Sequence, residues 1–161
     1  MERDALEWLY ETYYRQVYLY ALSLCRNGTQ AEELTSDTFY RALLSVGETK
    51  EHMKYWLLRV CKNCWYDWLR KQKRQSDAPF PQVAVPEEAL SMVLQKEENR
   101  RLYQGILSLP PRYQELLYLF YFAEYSVMDI ATLRKETPGA VKTALSRARV
   151  ALKKKMEEGK E

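Results

Sequence analysis

Ser126-Val-Met-Asp129-Ile-Ala-Thr-Leu133-Arg134-Lys-Glu-Thr137-Pro138-Gly-Ala-Val141-Lys-Thr-Ala-Leu145 decides the fold of the second half of the chain. Ser126 and Asp129 have the spacing of a capping box, which starts a short helix ending near Leu133. Arg134 to Thr137 is a tight turn. Thr137-Pro138 then pairs a good N-cap with the residue best tolerated at the first helical position. Val141, Leu145, Ala148, Leu152 and Met156 recur at three- and four-residue intervals, so a longer helix follows with one apolar face. Short helix, tight turn and longer helix make a helix-turn-helix. In that motif the early residues of the second helix face base edges in the major groove.

The helix after the turn carries Lys142, Arg147, Arg149, Lys153, Lys154 and Lys155, and no acidic residue between Lys142 and Lys155. Gly139, Ala140, Lys142, Thr143 and Ser146 stand where bases would be met, with Arg147, Arg149 and Lys153 in reach of phosphates or bases. The competing explanation is a surface helix made basic for solubility. Before this motif, Leu109-Pro110-Pro111 ends one helix, predicted from Glu87 to Ser108, and starts another through about Ala123.

Gln75-Ser-Asp-Ala-Pro79-Phe-Pro81-Gln-Val-Ala-Val-Pro86 separates this half from the first. Three prolines in eight residues exclude a helix and favour an extended tether. Upstream of it the periodicity predicts three helices. The first runs from Arg3 to Arg26 and stops at Asn27-Gly28. The second opens on a Thr29–Glu32 capping box and ends near Gly47. The third spans about Lys50 to Lys73, with Lys54, Arg59, Lys62, Arg70 and Lys71 on its outer faces. The expected architecture is all-α: two small helical domains, 1–74 and 97–161, joined by a linker over 75–96.

Composition narrows the function. Among 161 residues, Leu occurs 22 times, Ile twice and Gly five times, which favours helices over sheets. The longest apolar run, Leu116–Ala123, is too short to span a bilayer, so no membrane insertion is expected. The charged start (Glu2, Arg3, Asp4, Glu7) is unlike a signal peptide, and three cysteines make no disulfide framework; a cytoplasmic protein is expected. The net charge of +3 hides strong patterning: −4 over residues 1–49, +6 over 50–75, −4 over 76–99 and +5 over 100–161. Two separate basic blocks suggest two contacts with a polyanion, although charge runs also arise as solvated helix faces. The first block is interleaved with Tyr55, Trp56, Trp65, Tyr66 and Trp68, a composition that suits unpaired bases; most of these Trp are expected in the core.

No catalytic constellation is visible. There is one His, no Gly-rich phosphate loop and no carboxylate cluster suited to a metal. Cys61-Lys-Asn-Cys64 has the spacing of half a zinc site, with Cys25 and His52 as further ligands. Cysteines at i and i+3 of a helix are more often small core residues, so neither metal nor cofactor is expected.

Ala31-Glu-Glu-Leu-Thr-Ser-Asp-Thr-Phe-Tyr-Arg-Ala42 and Trp56-Leu-Leu-Arg-Val-Cys-Lys-Asn63-Cys-Trp-Tyr-Asp67-Trp-Leu-Arg70 together resemble the second conserved region of bacterial sigma factors. Leu109-Pro-Pro-Arg112-Tyr-Gln-Glu and Ile130-Ala-Thr-Leu with Gly139-Ala-Val-Lys-Thr-Ala-Leu-Ser-Arg-Ala-Arg149 resemble the fourth. Possession of those two regions alone is similar to the extracytoplasmic-function (ECF) subgroup. The resemblance implies a specificity subunit, with RNA polymerase doing the catalysis. Asp37, Phe39, Tyr40 and Arg41 would dock the β′ clamp helices of core polymerase. His52, Lys54, Trp56, Asn63, Arg70 and Lys71 would bind the −10 element and hold its opened strand. Arg112, with Gly139, Ala140, Lys142, Thr143, Ser146, Arg147, Arg149 and Lys153, would bind the −35 element. An anti-sigma factor is a further implied partner. The sequence departs from the family pattern at Met53, where an aromatic is usual, at Ala144, where Arg is usual, and in Arg134-Lys-Glu, where an apolar-Gly turn is usual. From the residues alone, a stand-alone helix-turn-helix regulator with an N-terminal dimerisation bundle, or a helical adaptor without DNA, are the alternatives.

Overall fold

The computed structural model describes residues 2–45, 53–75 and 85–159, with side chains from residue 6 onward. The described residues form eight helices: α1 Glu2–Cys25, α2 Gly28–Leu44, α3 Met53–Gln75, α4 Glu87–Val93, α5 Glu97–Leu107, α6 Pro111–Tyr121, α7 Val127–Arg134 and α8 Pro138–Glu158. They divide into two compact units, Met1–Ala84 and Val85–Glu161.

In the first unit α1, α2 and α3 pack against one another. Val17, Tyr20, Ala21 and Leu22 of α1 join Ala31, Leu34 and Ala42 of α2 and Leu57, Leu58 and Cys61 of α3 in a buried core. Each of the larger aliphatic side chains contributes roughly 1.5–3 kcal/mol by leaving water. Buried Ser23, Thr35 and Thr38 satisfy their hydroxyls on the carbonyls four residues earlier, at 2.8, 2.7 and 2.7 Å.

The α1–α2 junction differs from expectation. The residue that stops α1 is Arg26, in the left-handed conformation at φ 52°, and Gly28 is already the first residue of α2. Asn27, not Thr29, caps α2: its side chain accepts the Gln30 amide at 3.1 Å. Asn is among the strongest N-caps and stands two positions earlier, so it captures the helix start before Thr29 can.

In the second unit α5, α6 and α8 enclose Tyr103, Ile106, Leu116, Leu117, Tyr118, Leu119, Val141, Leu145 and Ala148. Tyr103 stands edge-on to Tyr118 at 6.1 Å and to Phe122 at 5.6 Å, geometries that suit the ring quadrupole. Gly105 lets α8 come close, since a Cβ there would lie 3.1 Å from Leu152 and 2.9 Å from the Met156 sulfur.

The helix expected from Glu87 to Ser108 is two helices. Leu94 turns extended (φ −124°, ψ 97°), and Nη1 of Arg100 donates to the carbonyls of Leu94 and Gln95 at 2.8 and 2.7 Å. One side chain thus satisfies carbonyls that the α4 terminus leaves open. Because α4 packs on α5 with Leu90 and Leu94 buried, it belongs to the second unit, inside the stretch assigned to the linker. Residues 76–84, with Pro79 and Pro81, lie outside the described residues.

Candidate nucleic-acid interface

The helix-turn-helix is built from its caps. The Ser126 amide donates to the Asp129 carboxylate at 3.2 Å and the Asp129 amide donates to the Ser126 hydroxyl at 3.0 Å, the reciprocal capping box expected. Lys135 follows α7 in the left-handed conformation at φ 57°, and the Glu136 amide reaches back to the Ala131 carbonyl at 2.9 Å. That is a Schellman-type stop with lysine in the position glycine favours. Thr137 then accepts the Ala140 amide at 3.1 Å, and Pro138 opens α8.

Val141, Ala144, Leu145, Ala148 and Leu152 face the core. Gly139, Ala140, Lys142, Thr143, Ser146, Arg147, Arg149 and Lys153 are all exposed. A Cβ at Gly139 would meet nothing within 4 Å, so the start of α8 is open to close approach. The Thr143 hydroxyl donates to the Gly139 carbonyl at 3.1 Å, which fixes its rotamer and leaves its oxygen as an acceptor.

Two arginines expected at DNA are held by the protein itself. Nε of Arg149 donates to the Tyr121 hydroxyl at 3.0 Å, and its guanidinium lies 4.8 Å from the Phe120 ring centre. Arg112 grips Glu136 with both terminal nitrogens, Nη2 at 3.1 Å. The Arg112 guanidinium holds the Glu136 carboxyl below the ordinary carboxylate range, with Arg134 adding to the effect.

On α3, Trp56, Asn63 and Arg70 recur every seven residues and so share one side of the helix; Asn63 and Arg70 are exposed, and Trp56 and Lys54 half-buried. Lys71 is exposed, and His52 lies outside the described residues. Sequence reasoning placed Lys62 on an outer face, but it is buried at 6% exposure with its ammonium 5.6 Å from the Tyr66 ring centre. A four-carbon stem can lie along apolar surface while the charge rests on an aromatic face. Trp65 is buried and stacks on half-buried Trp68 at 5.5 Å. Arg59, Tyr66 and Lys73 are exposed and stand three or four residues from Asn63 or Arg70, so they extend this face; that spacing was the signal available in the sequence.

On α2, Asp37, Tyr40 and Arg41 are exposed while Phe39 is buried against Tyr10, ring centres 5.0 Å apart. Beside them a largely apolar groove is lined by Leu6, Tyr10, Phe39, Tyr40 and Leu43, together with Glu7, Glu11 and Ser36. The three cysteines are buried thiols. Burial pushes the Cys25 thiol up to about 11 and raises Cys61 and Cys64 as well, which disfavours thiolate ligands. Among the described residues no three His, Cys, Asp or Glu side chains gather as a metal site, and none of the described helices is long and apolar enough to cross a membrane.

The class defined by these features is a helical, two-unit protein with a helix-turn-helix whose second helix carries an exposed basic face. The family profile for sigma-70 region 2 matches residues 9–75, and that for sigma-70 region 4 matches residues 99–152. The chain is similar to the RNA polymerase sigma factor YlaC of Bacillus subtilis strain 168, 28% identical over 172 aligned positions that cover 99% of this chain and 96% of that one. It is also similar to the ECF RNA polymerase sigma factor SigM of the same strain, 28% identical over 149 positions covering 90% and 91%. Its fold matches that of the Bartonella quintana sigma factor RpoE, solved in complex with the anti-sigma factor NepR, with a TM-score of 0.71, 22% identity and 96% of both chains covered. This chain belongs to the sigma-70 family, as an ECF-type sigma factor that directs RNA polymerase to promoters.

Proposed function

We propose that the two units divide promoter recognition between them. The first docks on core polymerase through the exposed Asp37, Tyr40 and Arg41, with buried Phe39 packed behind them rather than in contact as the resemblance implied, and holds the −10 element with Lys54, Trp56, Asn63, Arg70 and Lys71, joined by His52. The second reads the −35 element with the first turns of α8. The observation that carries this reading is the division of α8 into a buried apolar face and an exposed basic face, behind a turn capped at both ends. Phosphates supply most of the affinity for such a face, and base edges supply the choice of sequence.

On this reading the chain does no chemistry of its own and works in the cytoplasm beside the polymerase. The exposed aromatic and aliphatic side chains of the first unit, Trp8 at 60%, Tyr40 at 61% and Leu44 at 69%, suit coverage by a protein. An anti-sigma factor such as the one bound to the Bartonella relative is the partner proposed for the resting state. The test is binding of the purified chain to core polymerase, followed by run-off transcription on genomic fragments. Transcripts that require both the chain and core support the assignment. A dimer that binds duplex DNA tightly and ignores core would support the stand-alone regulator instead.

A further inference from the structure

Four side chains of alternating charge run outward from the core of the second unit to the start of α8. Glu115 on α6, with 4% of its side chain exposed, accepts from Arg134 at the end of α7. Arg134, 16% exposed, also reaches Oε1 of Glu136 at 3.4 Å. Glu136, 20% exposed, is gripped by Arg112, whose side chain is 41% exposed at the outer end of the chain of charges. Where the family usually has an apolar-Gly turn, this sequence places an ionic relay anchored on a buried carboxylate.

A carboxylate beside a DNA-binding helix ordinarily repels phosphate. Here its charge is met by two guanidinium groups. A bidentate grip uses two of the five N–H donors of Arg112 and leaves three for another acceptor. The grip also removes rotamer freedom that an arginine otherwise loses when it binds. Glu136 directly precedes Thr137, the N-cap of α8, so the same contact fixes Arg112 relative to the start of that helix.

We propose that Glu136 is a positioning residue for DNA binding: it aims Arg112 at the phosphate beside the start of α8. The proposal rests on the reading of α8 as the DNA-facing helix. It goes further in giving an acidic residue a favourable role at an anionic surface.

The sign of one substitution separates the two explanations. Binding of the full chain to a short fluorescein-labelled duplex of mixed sequence is measured by anisotropy across a potassium chloride series. Mixed sequence is sufficient, because a phosphate contact is independent of bases. Charge alone predicts that Glu136→Ala binds more tightly. Positioning predicts weaker binding, by about tenfold, as for a lost charge-assisted hydrogen bond. It also predicts a salt slope smaller by about one, since one phosphate contact is gone. Arg112→Ala should show the same loss, and the double variant should bind no worse than Arg112→Ala alone. Glu136→Gln, which keeps shape and one acceptor, should fall between wild type and Glu136→Ala, and it decides the sign if Glu136→Ala does not fold. Tighter or unchanged binding by a folded Glu136 variant overturns the proposal. If Lys142→Ala and Arg112→Ala both bind like the wild type, the DNA-facing reading of α8 itself fails, and the proposal with it.

Discussion

Arg41 on α2 donates to Oδ2 of Asp67 on α3 at 3.1 Å, and Oδ1 of the same carboxylate takes Arg70 one turn further along α3. One exposed carboxylate therefore ties a residue assigned to polymerase docking to one assigned to −10 DNA. The pair is open to solvent, with 46% and 37% of the two side chains exposed, so screening limits its worth to at most about 1 kcal/mol.

Arg41→Ala should therefore leave the melting temperature nearly unchanged and weaken binding to core polymerase by about tenfold, the loss of one desolvated charged contact. Phe39 is the contrast on the same helix, since it is buried beneath the half-exposed ring of Tyr10. Phe39→Ala should cost about 3–5 kcal/mol of folding stability. Calorimetry on both variants, beside core-binding titrations, separates the two. Unchanged core affinity for Arg41→Ala would remove Arg41 from the interface.

Lys135 holds a left-handed conformation at the end of α7. Such a conformation costs a non-glycine residue about 1–2 kcal/mol, and glycine gives back part of that through its freer unfolded chain. Lys135→Gly should raise the urea midpoint by the equivalent of about 1 kcal/mol, with the exposed residues of α8 undisturbed. A lower midpoint would mean that the lysine side chain stabilises the turn in a way its backbone does not show.

Glu136 sets an acid limit on the second unit. Its carboxyl is held below the ordinary value, first by the hydrogen bond from Arg112, so it binds a proton less readily folded than unfolded. The stability this adds is complete above the unfolded value of about 4.3 and disappears as pH falls through the lowered folded value. Chemical denaturation between about pH 5 and pH 3 should show a steeper loss for the wild type than for Glu136→Gln. Parallel curves would contradict the Arg112–Glu136 contact.

The fold was largely legible because its signals are local. The Ser126–Asp129 box, the Thr137-Pro138 start and the apolar faces of α2 and α8 depend on residues a few positions apart, and the structure has each of them. The break at Leu94 depends on Arg100 folding back onto the carbonyls of Leu94 and Gln95, and no apolar period marks it. The Asn27 cap shows how two good capping residues two positions apart leave a boundary open. At the candidate site, exposure along α8 followed from its period. The engagement of Arg112 by Glu136, 24 residues away, and of Arg149 by Tyr121, 28 residues away, did not. Periodicity reports which face a residue is on; it carries nothing about partners from another helix.

Position along α8 should separate base reading from phosphate contact. Lys142 is in the second turn, near the end proposed to enter the groove, and Lys153 is three turns further on. Lys142→Ala should cost about 1–3 kcal/mol on the preferred −35 sequence and flatten discrimination there. Lys153→Ala should weaken all sequences alike and lower the salt slope by about one. Binding to a panel of −35 variants at two salt concentrations checks both; the reverse pattern would invert the orientation of this helix on DNA.

Promoter choice by the two units together is tested most directly by transcription with purified core polymerase, this chain and fragmented genomic DNA, with mapping of every transcript start. The division of labour between the units predicts starts that appear only with the chain present and that share two upstream elements. Lys142→Ala should then lose or redistribute starts according to the −35 element, and Trp56→Ala according to the −10 element. Starts that share a single element, or a promoter set that neither substitution alters in folded protein, would contradict it.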